Sequence, residues 1–369
     1  MKVLMVSNKV RTYSLGIQNV VNVFLSLGHE LIWAANFSDY IGNKEEEIPC
    51  KTVHIDIYAY PFHRTNIRAY KQIKKLINEQ NIEVVQCMTP IGSTLARIAA
   101  WKCGVKNVIY TAHGFLFFKG APLINRIVYK IPELLLARVT DTLITICEED
   151  YKAAMQFKLR NGTRPYLIHG AGVNIGVRVN AERLKVRNRI GLGLSDIVVV
   201  SAGDLNPNKN NKVVVEAMSK IPDSRIHYVI CGTGMLEDEL KEMSKSLGIE
   251  NRVHFIGYRT DMPEILACSD IFVMPSYREG VPRAILEAMD LGLPCVGSKT
   301  RGIADLIDEN KGGFICKPND SKGFANAIIA LANDSELRHS FGQYNTEKAK
   351  GYSIEIVREE LTSIYEKVI

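Results

Sequence analysis

Several motifs that would define a function are missing from this sequence of 369 residues. None of its eight cysteines belongs to a Cys-x-x-Cys pair, so no zinc site is expected, and scattered single cysteines are typical of a reducing cytoplasm. No apolar run reaches the roughly 18 residues that would span a membrane. No dense Lys/Arg run carries interleaved aromatics, which argues against nucleic-acid binding. The pattern Asp-x-Asp, which holds a divalent metal in some enzymes, is also absent, so we expect no bound metal.

The composition is that of an ordinary globular protein. Apolar residues make up 46% and charged residues 23% of the chain, which is enough to build a sizeable core. The length predicts two domains. The net charge of +6 is mild and favours anionic small molecules or an acidic membrane surface as partners.

Short apolar runs alternate with amphipathic helical patterns, and the alternation restarts after Gly170, where the runs Ile197–Ala202 and Ile226–Cys231 are predicted to be strands. This order predicts parallel sheets covered by helices on both faces. We expect two doubly wound α/β domains, residues 1–172 and 173–349, with a C-terminal helix at about 350–369 that packs back on the first domain. Crevices at the carboxyl ends of the strands would then face a central cleft.

The basic stretch Gly176–Gly193 is interpreted as a solvated linker between the domains. Alternatively, some of its arginines face the cleft. The basic residues are Arg178, Arg183, Lys185, Arg187 and Arg189.

The most informative segment, Ser276–Met289, joins a predicted strand to a predicted helix. Gly280 lets the backbone turn closely around a ligand, and Pro282 suits the first turn of a helix. The free N–H groups there form a site for an anion such as a phosphate. Glu287, further along the helix, can accept two hydrogen bonds from a vicinal diol such as a ribose. Alternatively, Glu279 and Glu287 are ordinary surface residues of a helix.

In these residues the sequence resembles retaining glycosyltransferase family 4, whose members adopt the GT-B fold of two Rossmann-like domains. The resemblance covers nearly the whole chain and rests chiefly on Glu279, Gly280 and Glu287. Supporting segments are Gly203-Asp204-Leu205 with Lys209, Cys231–Gly234, Val253–Tyr258, Ser269–Ser276 and Thr111–Gly114.

The resemblance implies a role for each matching residue. Glu287 would bind the ribose of the donor, and Glu279 would contact the transferred sugar. Lys209 would neutralise the diphosphate and His113 would lie beside the reacting sugar, so His113, Glu279 and Lys209 form the expected catalytic set. A lone histidine at a strand end can also be structural, and that alternative stays open. The remaining donor-binding residues would be Gly16, Gly203, Gly232, Tyr258, Arg259, Arg278, Gly280, Val281 and Arg283.

One position departs from the family pattern. Many members carry arginine where this chain has Asp204, and an aspartate there would repel a phosphate. Arg278 or Arg283, both beside the donor turn, could replace the lost charge. Lysine, arginine and a helix N-terminus can together stabilise a leaving diphosphate without metal.

A segment after His113 combines aromatic and basic residues, which suits contact with an anionic bilayer or with a lipid-linked acceptor. Alternatively, its helix is buried with a solvated basic edge. The expected contact residues are Phe115, Phe117, Phe118, Lys119, Arg126 and Lys130.

The expected function is transfer of a hexose or an N-acetylhexosamine from a UDP-sugar to a saccharide acceptor, with retention of configuration. The resemblance implies a polyprenyl-diphosphate-linked acceptor and a place in bacterial surface polysaccharide synthesis, in the cytoplasm or on the inner face of the membrane. No cofactor other than the nucleotide sugar is expected. The alternatives are a sugar-nucleotide 2-epimerase of the same fold and an inactive homologue that still binds nucleotide sugars.

Overall fold

A computed structural model describes residues 1–60, 62–118, 123–177, 179 and 182–369, without the side chain of Asn125. The chain divides into two compact units. The first unit comprises Met1–Gly172 and Ile354–Ile369, and the second comprises Val173–Ser353. The expected class, two α/β units that each contain a parallel sheet, is confirmed.

The first unit is built on seven parallel strands in the order β3-β2-β1-β4-β5-β6-β7. Central strand β1 is an apolar run that is buried on both faces, and its Val3 pairs with Leu31 on one side and Val84 on the other. The strands are β1 (Lys2–Lys9), β2 (Glu30–Asn36), β3 (Lys51–His54), β4 (Val84–Cys87), β5 (Asn107–Ala112), β6 (Thr142–Thr145) and β7 (Tyr166–Leu167).

Helices cover this sheet. They are α1 (Leu15–Ser26), α2 (Lys44–Glu47), α3 (Thr65–Glu79), α4 (Pro90–Lys102), α5 (Leu123–Ala137) and α6 (Glu148–Ala154). The C-terminal helix, Ile354–Val368, joins the same unit. It packs on α1, where Tyr365 stacks on Phe24 with ring centroids 4.3 Å apart and Arg358 donates to the side chain of Asn19.

The second unit is built on six parallel strands in the order β10-β9-β8-β11-β12-β13. The strands are β8 (Ile197–Ala202), β9 (Ile226–Cys231), β10 (Val253–Phe255), β11 (Ile271–Met274), β12 (Cys295–Ser298) and β13 (Gly313–Cys316). The helices are α7 (Arg183–Arg189), α8 (Asn211–Ser219), α9 (Glu237–Ser246), α10 (Met262–Ala267), α11 (Arg283–Asp290), α12 (Ile303–Leu306), α13 (Ser321–Asn333) and α14 (Ser335–Lys350).

Both sheets reverse their strand order once. The reversal lies between β1 and β4 in the first unit and between β8 and β11 in the second. In open parallel sheets, ligands bind outside the carboxyl ends of the strands at such a switch point. The loops that follow β1 and β4, and those that follow β8 and β11, are therefore where functional residues are expected.

The interpretation of Gly176–Gly193 as a solvated linker is wrong for its central part. Residues Arg183–Arg189 form α7, and the guanidinium of Arg187 is buried. Arg187 donates to the carboxylate of Asp270 at 2.6 Å and to the carbonyls of Cys268, Gly193 and Asp196. Because protein groups hold this guanidinium, Arg187 also does not face a ligand. Arg178 lies outside the described residues.

In the described part of the chain, no helix combines the length and the apolar composition that crossing a bilayer requires.

Candidate active site

Two loops meet at the switch point of the second sheet. The loop after β8 contains Lys209, and the turn after β11 contains Glu279. Lys209 Nζ lies 2.9 Å from Glu279 Oε1, and the two side chains are 23% and 15% exposed. The backbones are tied together as well, because Tyr277 N–H donates to the carbonyl of Asn208 and the Asn208 amide donates to the carbonyl of Arg278. The structure therefore brings together two of the three expected catalytic residues.

Glycine backbones form the wall beside this pair. A Cβ at Gly203 would lie 3.1 Å from Lys209 Cε, so the lysine side chain runs directly along that backbone. A Cβ at Gly232 would overlap the carbonyl oxygen of Gly203, and both glycines have a φ of +147°. Side chains at either position would obstruct the loop, which explains why the expected donor-binding positions Gly203 and Gly232 are glycine.

A third loop, after β12, supports the donor turn and has no counterpart in the sequence interpretation. Arg301 is buried and its Nε donates to the carbonyl of Glu279 at 3.1 Å, while the Thr300 hydroxyl donates to the carbonyl of Ser276. A Cβ at Gly302 would overlap the carbonyl oxygen of Gly280, and the φ of Gly302 is +73°. The only local signal for this contact is Gly302, since Arg301 and Glu279 are far apart in sequence.

Glu287 lies on α11, one helical turn from Arg283. Arg283 Nη2 lies 3.0 Å from Glu287 Oε1. Burial raises the pKa of Glu287 above its ordinary value of 4.5, and Arg283 partly opposes the shift. Val281, the other expected donor-turn residue, is partly buried and packs against the core of the unit.

Asp204 is exposed in the loop after β8. Arg283, one of the two candidates to replace the missing positive charge there, is already engaged with Glu287. Arg278, the other candidate, is held in the turn through its backbone carbonyl.

Tyr258 and Arg259 directly follow Gly257, whose carbonyl accepts a hydrogen bond from the N–H of Gly232 in the glycine wall. They follow β10, which is separated from β8 by β9 at the edge of the sheet. Tyr258 is exposed, and Arg259 forms two hydrogen bonds to Asp261 at 2.8 and 2.6 Å. The ring of Tyr258 is thus available to stack on a planar ligand, whereas Arg259 has a protein partner.

In the first unit, His113 and Gly16 are neighbours. His113 follows β5 and is exposed, and Gly16 lies in the first turn of α1, after β1. A Cβ at Gly16 would lie 3.9 Å from His113 Cε1 and 3.2 Å from the Cβ of Ala171. The histidine ring thus lies beside a helix N-terminus, where free N–H groups and the helix dipole favour an anion.

The structure contradicts the expectation that Phe115 and Phe117 contact a membrane. Both side chains are buried, their rings stack with centroids 4.8 Å apart, and both lie close to the ring of Phe157 in the core. Phe118 is half-buried, Arg126 is exposed and Lys130 is partly exposed on α5, and Lys119 lies outside the described residues. The apolar residues that reach solvent are instead on α5 itself.

Within the described residues, no group of three or more His, Cys, Asp or Glu side chains is arranged to hold a metal ion.

Comparisons with known proteins agree with this layout. Residues 182–348 match the family model described as glycosyl transferases group 1, and residues 2–146 match the model described as glycosyl transferase 4-like. The chain is 36% identical to the putative glycosyltransferase EpsD of Bacillus subtilis, over 93% of this chain and 90% of that protein.

Two further proteins extend the comparison. The chain is 32% identical to the UDP-Gal:alpha-D-GlcNAc-diphosphoundecaprenol alpha-1,3-galactosyltransferase of Escherichia coli, over 78% of each chain. Its fold is similar to that of Anabaena HepE, crystallised in complex with UDP and glucose, with a TM-score of 0.80 and 19% identity over the whole of both chains.

Proposed function

This chain belongs to the family of glycosyltransferases that the group 1 and 4-like models describe. From that premise we propose that it transfers a hexose or an N-acetylhexosamine from a UDP-sugar to a saccharide carried on polyprenyl diphosphate. We propose that the transfer retains the anomeric configuration. The name of the Escherichia coli relative specifies a UDP-linked hexose and a diphosphoundecaprenol-linked acceptor, which supports these two substrate classes.

The observation that carries the proposal is the Lys209–Glu279 pair at the switch point of the second sheet. A diphosphate donor carries negative charge, and a sugar presents hydroxyl groups. Within one site, the Lys209 ammonium offers a cation to the diphosphate and the Glu279 carboxylate offers an acceptor to the sugar hydroxyls. The start of α11, where Pro282 provides no side-chain cap, offers backbone N–H groups to the phosphates, and Glu287 on the same helix offers a carboxylate for the ribose.

In the proposed reaction, the bond between the anomeric carbon and the diphosphate oxygen breaks, and an acceptor hydroxyl forms its bond to that carbon on the same face. The hydroxyl proton passes to the departing phosphate oxygen, and UDP leaves with the bonding electron pair. Lys209 stabilises the charge that develops on the leaving group. His113, beside the start of α1, is proposed to contact the reacting sugar.

A donor screen tests the proposal. Purified protein with a chelator is given a panel of UDP- and GDP-sugars, and the released nucleoside diphosphate is measured. We expect slow UDP release from one donor, acceleration by a saccharide on a lipid diphosphate, and loss of the signal in Glu287→Ala. Lys212→Ala is the matched control, since Lys212 forms an exposed pair with Glu239 in the same unit.

Three results would contradict it. An epimerised sugar formed without acceptor would identify an epimerase, and UDP binding without turnover would identify an inactive homologue. A product whose anomeric proton coupling indicates inversion would reject retention alone.

We also propose that α5 lies on an anionic membrane. Its solvent-facing side carries seven large apolar side chains that are at least one-third exposed: Leu123, Ile124, Ile127, Val128, Ile131, Leu134 and Leu135. A helix whose apolar face is exposed needs an apolar surface to cover it. Arg126 and Lys130 on the same helix, and Arg138 directly after it, suit the acidic headgroups.

Vesicle sedimentation tests this contact. We expect the protein to bind vesicles with anionic lipid, and Ile127→Asp to weaken that binding about tenfold, because it places a charge in the apolar face. The control is Leu194→Asp in the second unit, since Leu194 and Ile127 are equally exposed, at 58% and 59%. Equal loss in both variants, or no binding by the unaltered protein, would reject a specific role for α5.

A further inference from the structure

The first unit contains an apolar cavity of about 340 Å³. Helix α4 contributes Ile91 and Leu95 to its wall, and α5 contributes Val128 and Pro132. The floor includes Tyr110 of β5. The cavity thus lies directly beneath the helix whose outer face is apolar and exposed.

The charged groups at this cavity are paired within the protein. Glu133 of α5 reaches the wall, but its carboxylate lies 2.9 Å from the guanidinium of Arg97, which is itself fully buried. That guanidinium lies over the ring of Tyr110, 4.1 Å from its centroid. The hydroxyl of Thr94, another polar group of the wall, donates to the carbonyl of Pro90. Because these polar groups already have partners, the cavity favours an apolar occupant.

The cavity wall includes a residue next to His113, which is proposed to contact the reacting sugar. Gly114 lines it, and Gly114 directly follows His113. A ligand whose polar head reaches His113 can therefore place the start of an apolar tail in the cavity. Val128, which also lines the cavity, is 52% exposed on the apolar face of α5, so the cavity wall continues into that face.

We propose that this cavity binds the first part of the polyprenyl chain of the acceptor. This inference rests on the proposed lipid-linked acceptor. An apolar cavity of about 150 Å³ holds one benzene ring, so a cavity of roughly twice that volume holds about two isoprene units, or ten carbons. The rest of the chain continues over the exposed face of α5 into the bilayer. The enzyme then recognises the nature of the lipid as well as the saccharide.

Kinetics in detergent test the site, with acceptors that differ only in their chain: methyl, geranyl, a straight ten-carbon alkyl, and a longer isoprenoid. We expect the acceptor KM to fall at least tenfold from methyl to geranyl and to change little beyond, because the cavity is then full. Val128→Trp, which places a large ring in the cavity wall, should abolish this gain. Ile41→Trp, an exposed apolar position elsewhere in the first unit, should keep it.

Two results would overturn the inference. A KM that falls steadily with chain length, alike in both variants, would indicate partitioning into the micelle. A straight alkyl chain that serves as well as geranyl would indicate a site for ordinary acyl chains.

Geranyl diphosphate, which carries no saccharide, separates this inference from the proposed function. Calorimetric binding to the unaltered protein and to Ile41→Trp, but not to Val128→Trp, supports the cavity even if no lipid-linked saccharide is ever glycosylated. If geranyl diphosphate does not bind while lipid acceptors with any chain are glycosylated efficiently, the proposed function holds. The cavity is then rejected as the binding site for the lipid. A circular dichroism melt of Val128→Trp checks that the variant is folded.

Discussion

Strand β11 has an ion pair beyond each of its ends, and the two pairs differ in exposure. At the amino end, Arg187 is fully buried and donates to Asp270 and to four backbone carbonyls. Beyond the carboxyl end, Lys209 and Glu279 are each still partly exposed. The cations differ most, at 1% exposed for Arg187 and 23% for Lys209, so the protein encloses the first cation and leaves the second accessible to a ligand.

This difference separates a stabilising pair from one that can act on a substrate. A buried arginine that already donates to a carboxylate and to backbone carbonyls cannot bind an incoming phosphate without giving up these protein partners. A lysine that keeps access to solvent can share its charge with a second anion. In a parallel sheet the carboxyl ends of the strands bear the ligand site, so the open pair lies where a site is expected.

The largest effect is expected at the closed pair. Arg187→Ala removes one of the two arginine partners of Asp270 and also the donor to several backbone carbonyls, and we expect the free energy of unfolding to fall by about 3–5 kcal/mol. Arg189→Ala is the control, because Arg189 is exposed and lies 3.9 Å from Glu264, and it should cost less than about 1 kcal/mol. Urea unfolding followed by fluorescence measures both. Equal stability of the two variants would show that burial does not distinguish these arginines.

The open pair should show the opposite pattern. Lys209→Ala removes a cation aimed at the leaving group, and we expect kcat to fall about 100–1,000-fold. Its free energy of unfolding should fall by less than that of Arg187→Ala, because the Lys209 ammonium holds one carboxylate whereas Arg187 also holds several backbone carbonyls. UDP release and urea unfolding are measured on the same preparations, with Lys212→Ala as the control. A Lys209→Ala protein that is unstable but releases UDP normally when folded would show that this pair stabilises the fold and does not act on the substrate.

The sequence predicts the centre of each sheet well. Strands β8 and β9 are predicted over the same residues that form them, Ile197–Ala202 and Ile226–Cys231. Strands buried on both faces are continuous apolar runs, and such runs are visible in one sequence. Edge strand β13 is not predicted, because it has four residues and begins at Gly313, where a Cβ would overlap the carbonyl of Cys295. In the sequence, a glycine that permits two strands to pair closely cannot be distinguished from a glycine that ends a strand or a helix.

The missed features of the site all depend on distant partners. Arg187 is buried because Asp270 lies beside it, and Arg301 supports the donor turn because it reaches the carbonyl of Glu279. Neither contact leaves a periodic pattern in the sequence. The same holds for Phe115 and Phe117. The segment with Phe115 and Phe117 and helix α5 both follow His113 and are both apolar. Packing against Phe157 buries the two phenylalanines, whereas one face of α5 stays exposed.

The smallest effect concerns Glu287, whose carboxylate is needed in its charged form to accept hydrogen bonds from the ribose. Burial raises its pKa above 4.5, so as the pH falls the charge is lost at a higher pH than for an ordinary glutamate. We expect the Kd for UDP to increase several-fold on acidification to just below this raised pKa. Arg283→Ala should move the loss to still higher pH, because Arg283 lowers the pKa of Glu287. Glu287→Gln should bind UDP weakly with no such dependence, and Glu239→Gln should match the unaltered protein. A steep pH dependence that persists in Glu287→Gln would assign the titration to another group.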